Sequence, residues 1–120
     1  MFMTAILRIA PNLGDISQAP IAAAKLLQGQ PNTTTAHQFT NSQNNFHCGV
    51  WSSDAGKWTL NYTEDEFCYI IDGEAMITDR NGREERLAKG DAFVVPAGFT
   101  GTWETIKTVQ KFYAIYEKAE

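Results

Sequence analysis

The even spacing of turn signals through the second half of the chain constrains its fold more than any other feature. Glycine-containing turns recur at 54–56, 72–73, 81–82, 89–91 and 96–98, with short runs rich in β-branched and aromatic residues between them. Asp-Gly and Asn-Gly pairs are typical of tight hairpins, because the central residues of these turns take positive φ. The pattern therefore predicts an all-β sandwich or barrel. The predicted strands are 46–52, 57–62, 66–72, 74–79, 83–88, 92–95, 100–106 and 109–116.

Residues 1–44 have a different character, because proline and glycine break them into short pieces. One short helix is predicted at 21–27, where a proline precedes a run of alanines and leucines and a glycine follows it. The polar run at 32–45 indicates a loop or an extended arm. We therefore expect an N-terminal arm with a short helix at 1–44 and a barrel at 45–120.

The composition limits the number of domains, the partners and the cellular compartment that can be expected. The chain has 120 residues, a mass of 13.4 kDa and a net charge of −4, which fits one globular domain. Lysine and arginine form no cluster, so neither nucleic acid nor an anionic membrane is an expected partner. No signal peptide or membrane-spanning stretch is expected. Two cysteines, Cys48 and Cys68, are too few for a disulfide framework, so we expect free thiols in a cytoplasmic protein.

Two motifs resemble those of the cupin superfamily. Gly90, Pro96 and Gly98 have the spacing of the second cupin motif, and the interval from Glu66 to Gly73 has that of the first. The resemblance covers about half of the chain and implies a cupin double-stranded β-helix, which is a jelly-roll barrel. Within the superfamily, the resemblance is to the branch of small cupins similar to ureidoglycine aminohydrolase and ethanolamine-utilisation protein Q. It is carried by segments 66–73, 90–104 and 111–113.

The residues that bind metal in cupins are largely replaced in this chain. The second motif of the family ends in a histidine, and Gly101 stands at that position. The first motif usually carries two histidines, whose places fall on Leu60 and Tyr62 in one register and on Tyr62 and Glu64 in the other. Only Glu66 is kept, and one dependable ligand does not make a site for a divalent ion. We therefore predict that the protein has no metal cofactor.

A divalent transition metal is the alternative that stays open. His37 or His47 could reach in from the N-terminal part, and Cys68 could offer a sulfur ligand. Histidines so placed are more often ordinary surface or edge residues. Cys68 is more often a small buried apolar side chain than a nucleophile, because apolar surroundings raise the pKa of a thiol.

Strand alternation and the resemblance together predict the residues of a pocket. Glu66 and Cys68 lie on one face of their strand, and in cupins the corresponding glutamate faces the barrel interior. Trp103 shares a face with Gly101, which the family motif places inside. We expect Glu66 to be a catalytic acid/base. The expected ligand-binding residues are Tyr62, Cys68, Trp103 and Lys111, with Leu60 as a further candidate.

A structural role for the same residues is the competing interpretation. Glu66 could pair with a cation such as Lys111 or Arg86 instead of contacting a ligand. Lys111 could equally point outward into solvent. Tyr62 and Trp103 suit a core as well as a pocket wall, because each combines a large ring with one polar atom.

Three functions are compatible with these features. The first is an enzyme acting on a small polar metabolite with Glu66 as acid/base, and the second is a metal-free binding module for a small molecule. The third is a structural or interaction protein whose arm matters more than its barrel. We also expect a homodimer, because the arm cannot bury its own apolar side chains and an open sheet has edges to cover. An arm folded back onto its own barrel would instead give a monomer.

Overall fold

The computed structural model describes residues 4–118, which form nine β-strands and no helix. This confirms the prediction of an all-β fold. No segment of the described chain is therefore a helix able to cross a membrane. The strands are β1 (Asp15–Pro20), β2 (Leu26–Gln28), β3 (Asn32–Thr40), β4 (Phe46–Ser53), β5 (Gly56–Asn61), β6 (Asp65–Asp79), β7 (Glu84–Ala88), β8 (Ala92–Val95) and β9 (Thr100–Tyr116).

The longest strands, β6 and β9, organise an entirely antiparallel sheet. One edge of β9 pairs with β5 through Thr100–Thr105 and with β4 through Val109–Tyr116. Its other edge pairs with β6, whose far edge carries β7 and β8. The sheet continues from β4 to β3 and β1, and from β5 to β2. Because each long strand pairs with different partners along its length, the sheet curls and encloses an interior.

The turn predicted at 72–73 is wrong, because β6 runs through it without reversing. Asp72 pairs with Gln110 and Glu74 with Lys107, and the register shifts between these pairs. Gly73 has a φ of 89° and sits in this irregularity, as expected for a β-bulge. The predicted strands 66–72 and 74–79 are therefore one strand, and 100–106 and 109–116 merge into β9 in the same way.

The helix predicted at 21–27 is also wrong. Its last residues belong to β2, in which Leu26 pairs with Trp58 of β5, and the backbone N–H of Thr59 donates to the carbonyl of Lys25 at 3.0 Å. The free edge of β5 supplies partners that outweigh the helical propensity of a few alanines. Of the two alternatives for 32–45, a loop or an extended arm, the loop is wrong for Asn32–Thr40, which is the extended strand β3 between β1 and β4.

The hydrophobic core fills one end of the curled sheet. Trp58 and Trp103 form its boundary, because both belong to the core and also line a cavity at the other end. Their rings stack with centroids 6.4 Å apart. The other buried members of the core are Ile70, Ala75, Ile77, Leu87, Val95 and Val109.

Candidate functional site

The inner face of the sheet carries an open cavity of about 550 Å³. Pairing between β4, β9 and β6 arranges inward-facing side chains in rows across its wall. Successive rows are His47–Ile115–Glu66, then Gly49–Tyr113–Cys68, then Trp51–Lys111–Ile70. His37 of β3 lies opposite Gly49 and extends the second row. The N-terminal and C-terminal parts of the chain therefore build one wall together.

Glu66 is a buried carboxylate of this wall with partners on both of its oxygens. Only 5% of the residue is exposed. The hydroxyl of Tyr62 donates to its Oε1 at 2.6 Å, and the Lys111 ammonium lies 3.4 Å from its Oε2. Both carboxylate oxygens thus have a partner from the chain itself. Of the two cations considered from the sequence, Lys111 is the partner, whereas Arg86 pairs with Glu74.

The Lys111 ammonium lies at the centre of a cage. It donates to Cys68 Sγ at 3.3 Å and lies 4.8 Å from the ring centroids of both Trp51 and Trp103. Burial alone would lower the pKa of Lys111, but the combined effects of Glu66, Cys68 and Tyr62 outweigh burial and raise that pKa. The ammonium therefore stays charged, stabilised by one carboxylate and two aromatic faces.

Neither Cys68 nor Tyr62 is ionised at neutral pH. Burial raises the pKa of Cys68 to about 11, although Lys111 acts against it. Burial likewise raises the pKa of Tyr62, and the charge of Glu66 adds to this effect while Lys111 opposes it. Cys68 is therefore a buried thiol that packs against Lys111, not an activated nucleophile.

The donor set does not fit a transition metal. Glu66 is already engaged by Tyr62 and Lys111. At Gly101, the place of the family's histidine, a Cβ would collide with the backbone oxygen of Thr78, so a histidine there would require β6 to move. Within residues 4–118, no three His, Cys, Asp or Glu side chains are grouped to hold an ion.

Both histidines of the chain line the cavity, joined by one hydrogen-bonded chain. Tyr113 Oη lies 3.1 Å from His37 Nδ1, and Thr40 Oγ1 lies 2.7 Å from His37 Nε2 and 2.9 Å from His47 Nδ1. Gly49 leaves room for this arrangement, because a Cβ there would lie 2.6 Å from the Tyr113 hydroxyl oxygen. His37 and His47 were expected to be ordinary surface or edge residues, but both lie on the cavity wall.

Two further carboxylates, Glu64 and Glu117, also line the cavity. Burial raises the pKa of Glu64, and the proximity of the Glu117 carboxylate raises it further. A cation bound beside Glu64 would therefore favour the ionised form of its carboxyl group.

The structure brings the predicted pocket residues together around Lys111, but sequence reasoning missed part of the wall. Alternation along β9 from Lys111 could have identified Tyr113, and Glu117 continues the same alternation one residue beyond the end of the strand. The residues of β3, β4 and β5 gave no such signal. The cavity-lining residues that were not predicted include Trp51, Trp58, Tyr113, Glu64 and Glu117.

The two free cysteines predicted from the sequence are present, on opposite faces of the sheet. Cys68 faces inward in the row with Tyr113, whereas Cys48 pairs with Ala114. Burial raises the pKa of Cys48 as well. Their placement on opposite faces keeps them from forming a bridge.

Known structures share this fold at low identity. A protein of unknown function of the DUF861 family from Pseudomonas syringae is 22% identical, with a TM-score of 0.78 over 86% of this chain and 45% of that one. The chain thus spans less than half of that protein. EutQ from Clostridium difficile is 22% identical, with a TM-score of 0.65 over 72% of this chain and 69% of its own. A DUF861 family protein from Thermotoga maritima is 28% identical, with a TM-score of 0.52 over 53% and 73%.

A search of curated proteins found no match to this sequence. The family comparison is decisive, because the EutQ-like cupin domain matches residues 40–113, more than half of the chain. That range includes β4 to β8 and most of β9, the strands that carry Glu66, Lys111 and the tryptophans. The chain therefore belongs to the EutQ-like cupin domain family, and its fold is the cupin jelly roll.

Proposed function

We propose that this cupin binds a small polar metabolite without a metal ion. The observation that carries the proposal is the Glu66–Lys111 pair at the wall of an open, aromatic-lined cavity. In this arrangement the Lys111 ammonium supplies the positive charge beside Glu66, the glutamate that cupins keep. A cavity of about 550 Å³ with aromatic walls and a few converging polar groups is typical of a small-molecule site.

The charges of the wall favour a ligand with a positive group. Lys111 is the one lysine or arginine that lines the cavity within residues 4–118, and Glu66 already neutralises it. Glu64 and Glu117 leave a surplus of negative charge, and the indole and phenol rings attract cations. An organic ammonium ion can interact with both the carboxylates and the aromatic rings, whereas an anion would find no lysine or arginine on this wall that is not already paired.

Tryptophan fluorescence tests the proposal without a label, because all three tryptophans of the chain line this cavity. We expect choline to change the emission saturably. Its uncharged isostere 3,3-dimethylbutan-1-ol should bind at least about fivefold more weakly, since the loss of a cation–π contact costs about 1 kcal/mol.

Glu117→Gln should weaken choline binding, and Glu84→Gln, on exposed β7 away from the cavity, is the matched control. Binding should also strengthen as the pH rises through the raised pKa of Glu64, because ionisation of Glu64 adds negative charge to the cavity wall. Tighter binding of acetate or phosphate than of choline would refute the proposed ligand charge. A flat response to every compound would count against a ligand site.

Acid–base catalysis by Glu66 is the second candidate. The short contact between Tyr62 and Glu66 places a proton between two groups that both line the cavity. Because the raised pKa keeps Tyr62 protonated, its hydroxyl would serve as the acid and Glu66 as the acceptor. NMR of each bound compound would detect turnover, and Tyr62→Phe should abolish turnover while it preserves the fluorescence change.

We also propose a cytoplasmic location. The support is that Cys48 and Cys68 are both free thiols, which suits a reducing compartment.

A further inference from the structure

Four side chains on the inner face of the sheet form one continuous hydrogen-bonded network. Tyr113 Oη lies 3.1 Å from His37 Nδ1, and His37 Nε2 lies 2.7 Å from Thr40 Oγ1. The same Oγ1 lies 2.9 Å from His47 Nδ1. We call these four side chains the histidine network. Its ends are the Tyr113 hydroxyl and the second ring nitrogen of His47, Nε2, and both of these residues line the cavity.

A bulge in β3 brings the two members from that strand onto one face. Thr40 pairs with His47 of β4, but the register shifts between His37 and Phe39. In a regular strand, residues three positions apart point to opposite faces. Gln38 is left out of the pairing, so Thr40 returns to the face of His37. The hydrogen bond between these two side chains therefore depends on the bulge.

The donors and acceptors of the network are all used only if its hydrogen bonds run in one direction. A neutral imidazole has one N–H and one bare nitrogen, and a hydroxyl donates one proton. When His37 donates to Thr40 from Nε2, Thr40 donates to His47 Nδ1, and both rings carry their proton on Nε2. When His47 donates to Thr40 from Nδ1, Thr40 donates to His37 Nε2, and both rings carry it on Nδ1. If both rings donated to Thr40, its own proton would need a partner outside the network.

The two arrangements differ by the shift of one proton along each hydrogen bond. In the second arrangement, a proton that binds His47 Nε2 displaces the Nδ1 proton to Thr40, and the Thr40 proton moves to His37 Nε2. The Nδ1 proton of His37 then moves to Tyr113, whose hydroxyl releases its original proton into the cavity. One proton enters the network, one leaves, and every member is again neutral.

The buried end of the network keeps the proton that this shift requires. Tyr113 is 7% exposed, and burial raises its pKa, with further effects of the same sign from Cys48 and Glu66. The phenol is therefore protonated at neutral pH and serves as a donor. At the other end stands the imidazole of His47, the type of side chain that enzymes use most often for general acid–base catalysis.

We propose that the histidine network is a proton relay through which a carbonyl compound changes its tautomer in the cavity. A C–H bond beside the carbonyl group breaks and gives its proton to His47 Nε2, while its electron pair forms the double bond of the enol. The carbonyl oxygen takes the former π electrons and the proton that Tyr113 releases. Water in the open cavity then removes the proton from His47 Nε2 and returns one to Tyr113. This role goes beyond ligand binding and is separate from Glu66, whose oxygens are held by Tyr62 and Lys111.

The tautomers of the two rings test the relay without any ligand. Nitrogen NMR of the full chain at about pH 9, above the ordinary pKa of imidazole, distinguishes the two neutral forms. The ratio of Nε2–H to Nδ1–H forms should be the same in His37 and His47, because each arrangement gives both rings one tautomer. Thr40→Val keeps the shape of the side chain but removes the hydroxyl, so the two ratios should then differ. Unequal ratios in the wild-type protein, or equal ratios in Thr40→Val, would overturn the relay.

Deuterium exchange of a probe compound tests the use of the relay. Trimethylammonio-acetone has C–H bonds beside a carbonyl group, and proton NMR in deuterium oxide follows the loss of its methylene signal. The choice of a cationic probe rests on the proposed function, and tryptophan fluorescence records its binding separately. Thr40→Val and Tyr113→Phe should each slow the exchange that the protein catalyses at least about tenfold, with binding unchanged.

Tyr116→Phe is the matched control for Tyr113→Phe. Tyr116 is 45% exposed at the end of β9, on the opposite face from Tyr113, so exchange should stay at the wild-type rate. Exchange as fast in Thr40→Val as in the wild type, or a bound probe that does not exchange, would overturn the relay. Loss of exchange in Tyr62→Phe alone would also overturn it and assign the chemistry to Tyr62 and Glu66. A probe that does not bind would count against the proposed ligand charge, while the tautomer ratios still decide the relay.

Discussion

Glu66 and Lys111 depend on each other inside the wall of the cavity. Their side chains are 7% and 5% exposed, so either charge left alone would be buried without a counter-ion. From the sequence, Glu66 could have been a catalytic acid/base or half of a structural pair. The structure shows that the pair exists and that Tyr62 occupies the second oxygen of Glu66. Glu66 therefore acts first as the buried counter-ion of the Lys111 ammonium.

A double-mutant cycle tests this dependence. Glu66→Gln should lower the free energy of unfolding by about 3–5 kcal/mol, because it leaves the Lys111 ammonium buried without its partner. Adding Lys111→Met should recover most of the loss, since an apolar side chain suits the space between two tryptophans. Chemical denaturation of the four proteins measures the coupling energy.

The exposed pair of Arg86 and Glu74 provides the control for that cycle. Their charged atoms are also 3.4 Å apart, but the Arg86 side chain is 58% exposed. Arg86→Met should therefore cost less than about 1 kcal/mol. Equal costs for the buried and the exposed pair would show that Glu66 and Lys111 do not stabilise each other.

At the scale of elements, the sequence predicted which segments are extended but not where a strand ends. The turn at 81–82 reverses the chain as expected, and β8 has the predicted bounds. At 54–56 the chain passes from β4 to β5 without reversing, because both strands pair antiparallel with β9. The Asp72-Gly73 pair carries the same turn signal, yet the chain continues because β9 offers hydrogen-bonding partners on both sides of the bulge. A local signal cannot report a partner strand that lies about 35 residues away in the chain.

Gly73 and Gly82 form a matched pair for measuring that bulge. Both have positive φ, 89° and 85°, but only at Gly73 would a Cβ collide with a neighbour, the backbone oxygen of Thr108. Gly82→Ala should cost about 1–2 kcal/mol from backbone strain alone. Gly73→Ala should cost at least about 2 kcal/mol more, measured as the difference in free energy of unfolding. Similar costs would mean that the two glycines occupy equivalent turns.

At the scale of the whole molecule, the cavity combines residues from distant parts of the chain. Glu66, Cys68 and Trp103 were predictable because the cupin motifs give their strands and alternation gives their face, whereas the face of Lys111 stayed open. His37 was not predictable, because its contact with Tyr113 spans 76 positions and depends on β3, which was predicted to be part of a loop or an extended arm. The sheet must close before these groups meet, so no local pattern contains the complete site.

The central claim of this account is that Lys111, and not a metal ion, supplies the positive charge beside Glu66. The most direct measurement is the metal content of the protein, by mass spectrometry, after expression in medium supplemented with manganese, iron and zinc and then dialysis. The account predicts well under one equivalent of any transition metal, because Lys111 and Tyr62 already occupy both oxygens of Glu66. One equivalent of manganese, iron, nickel or zinc that survives dialysis would contradict it.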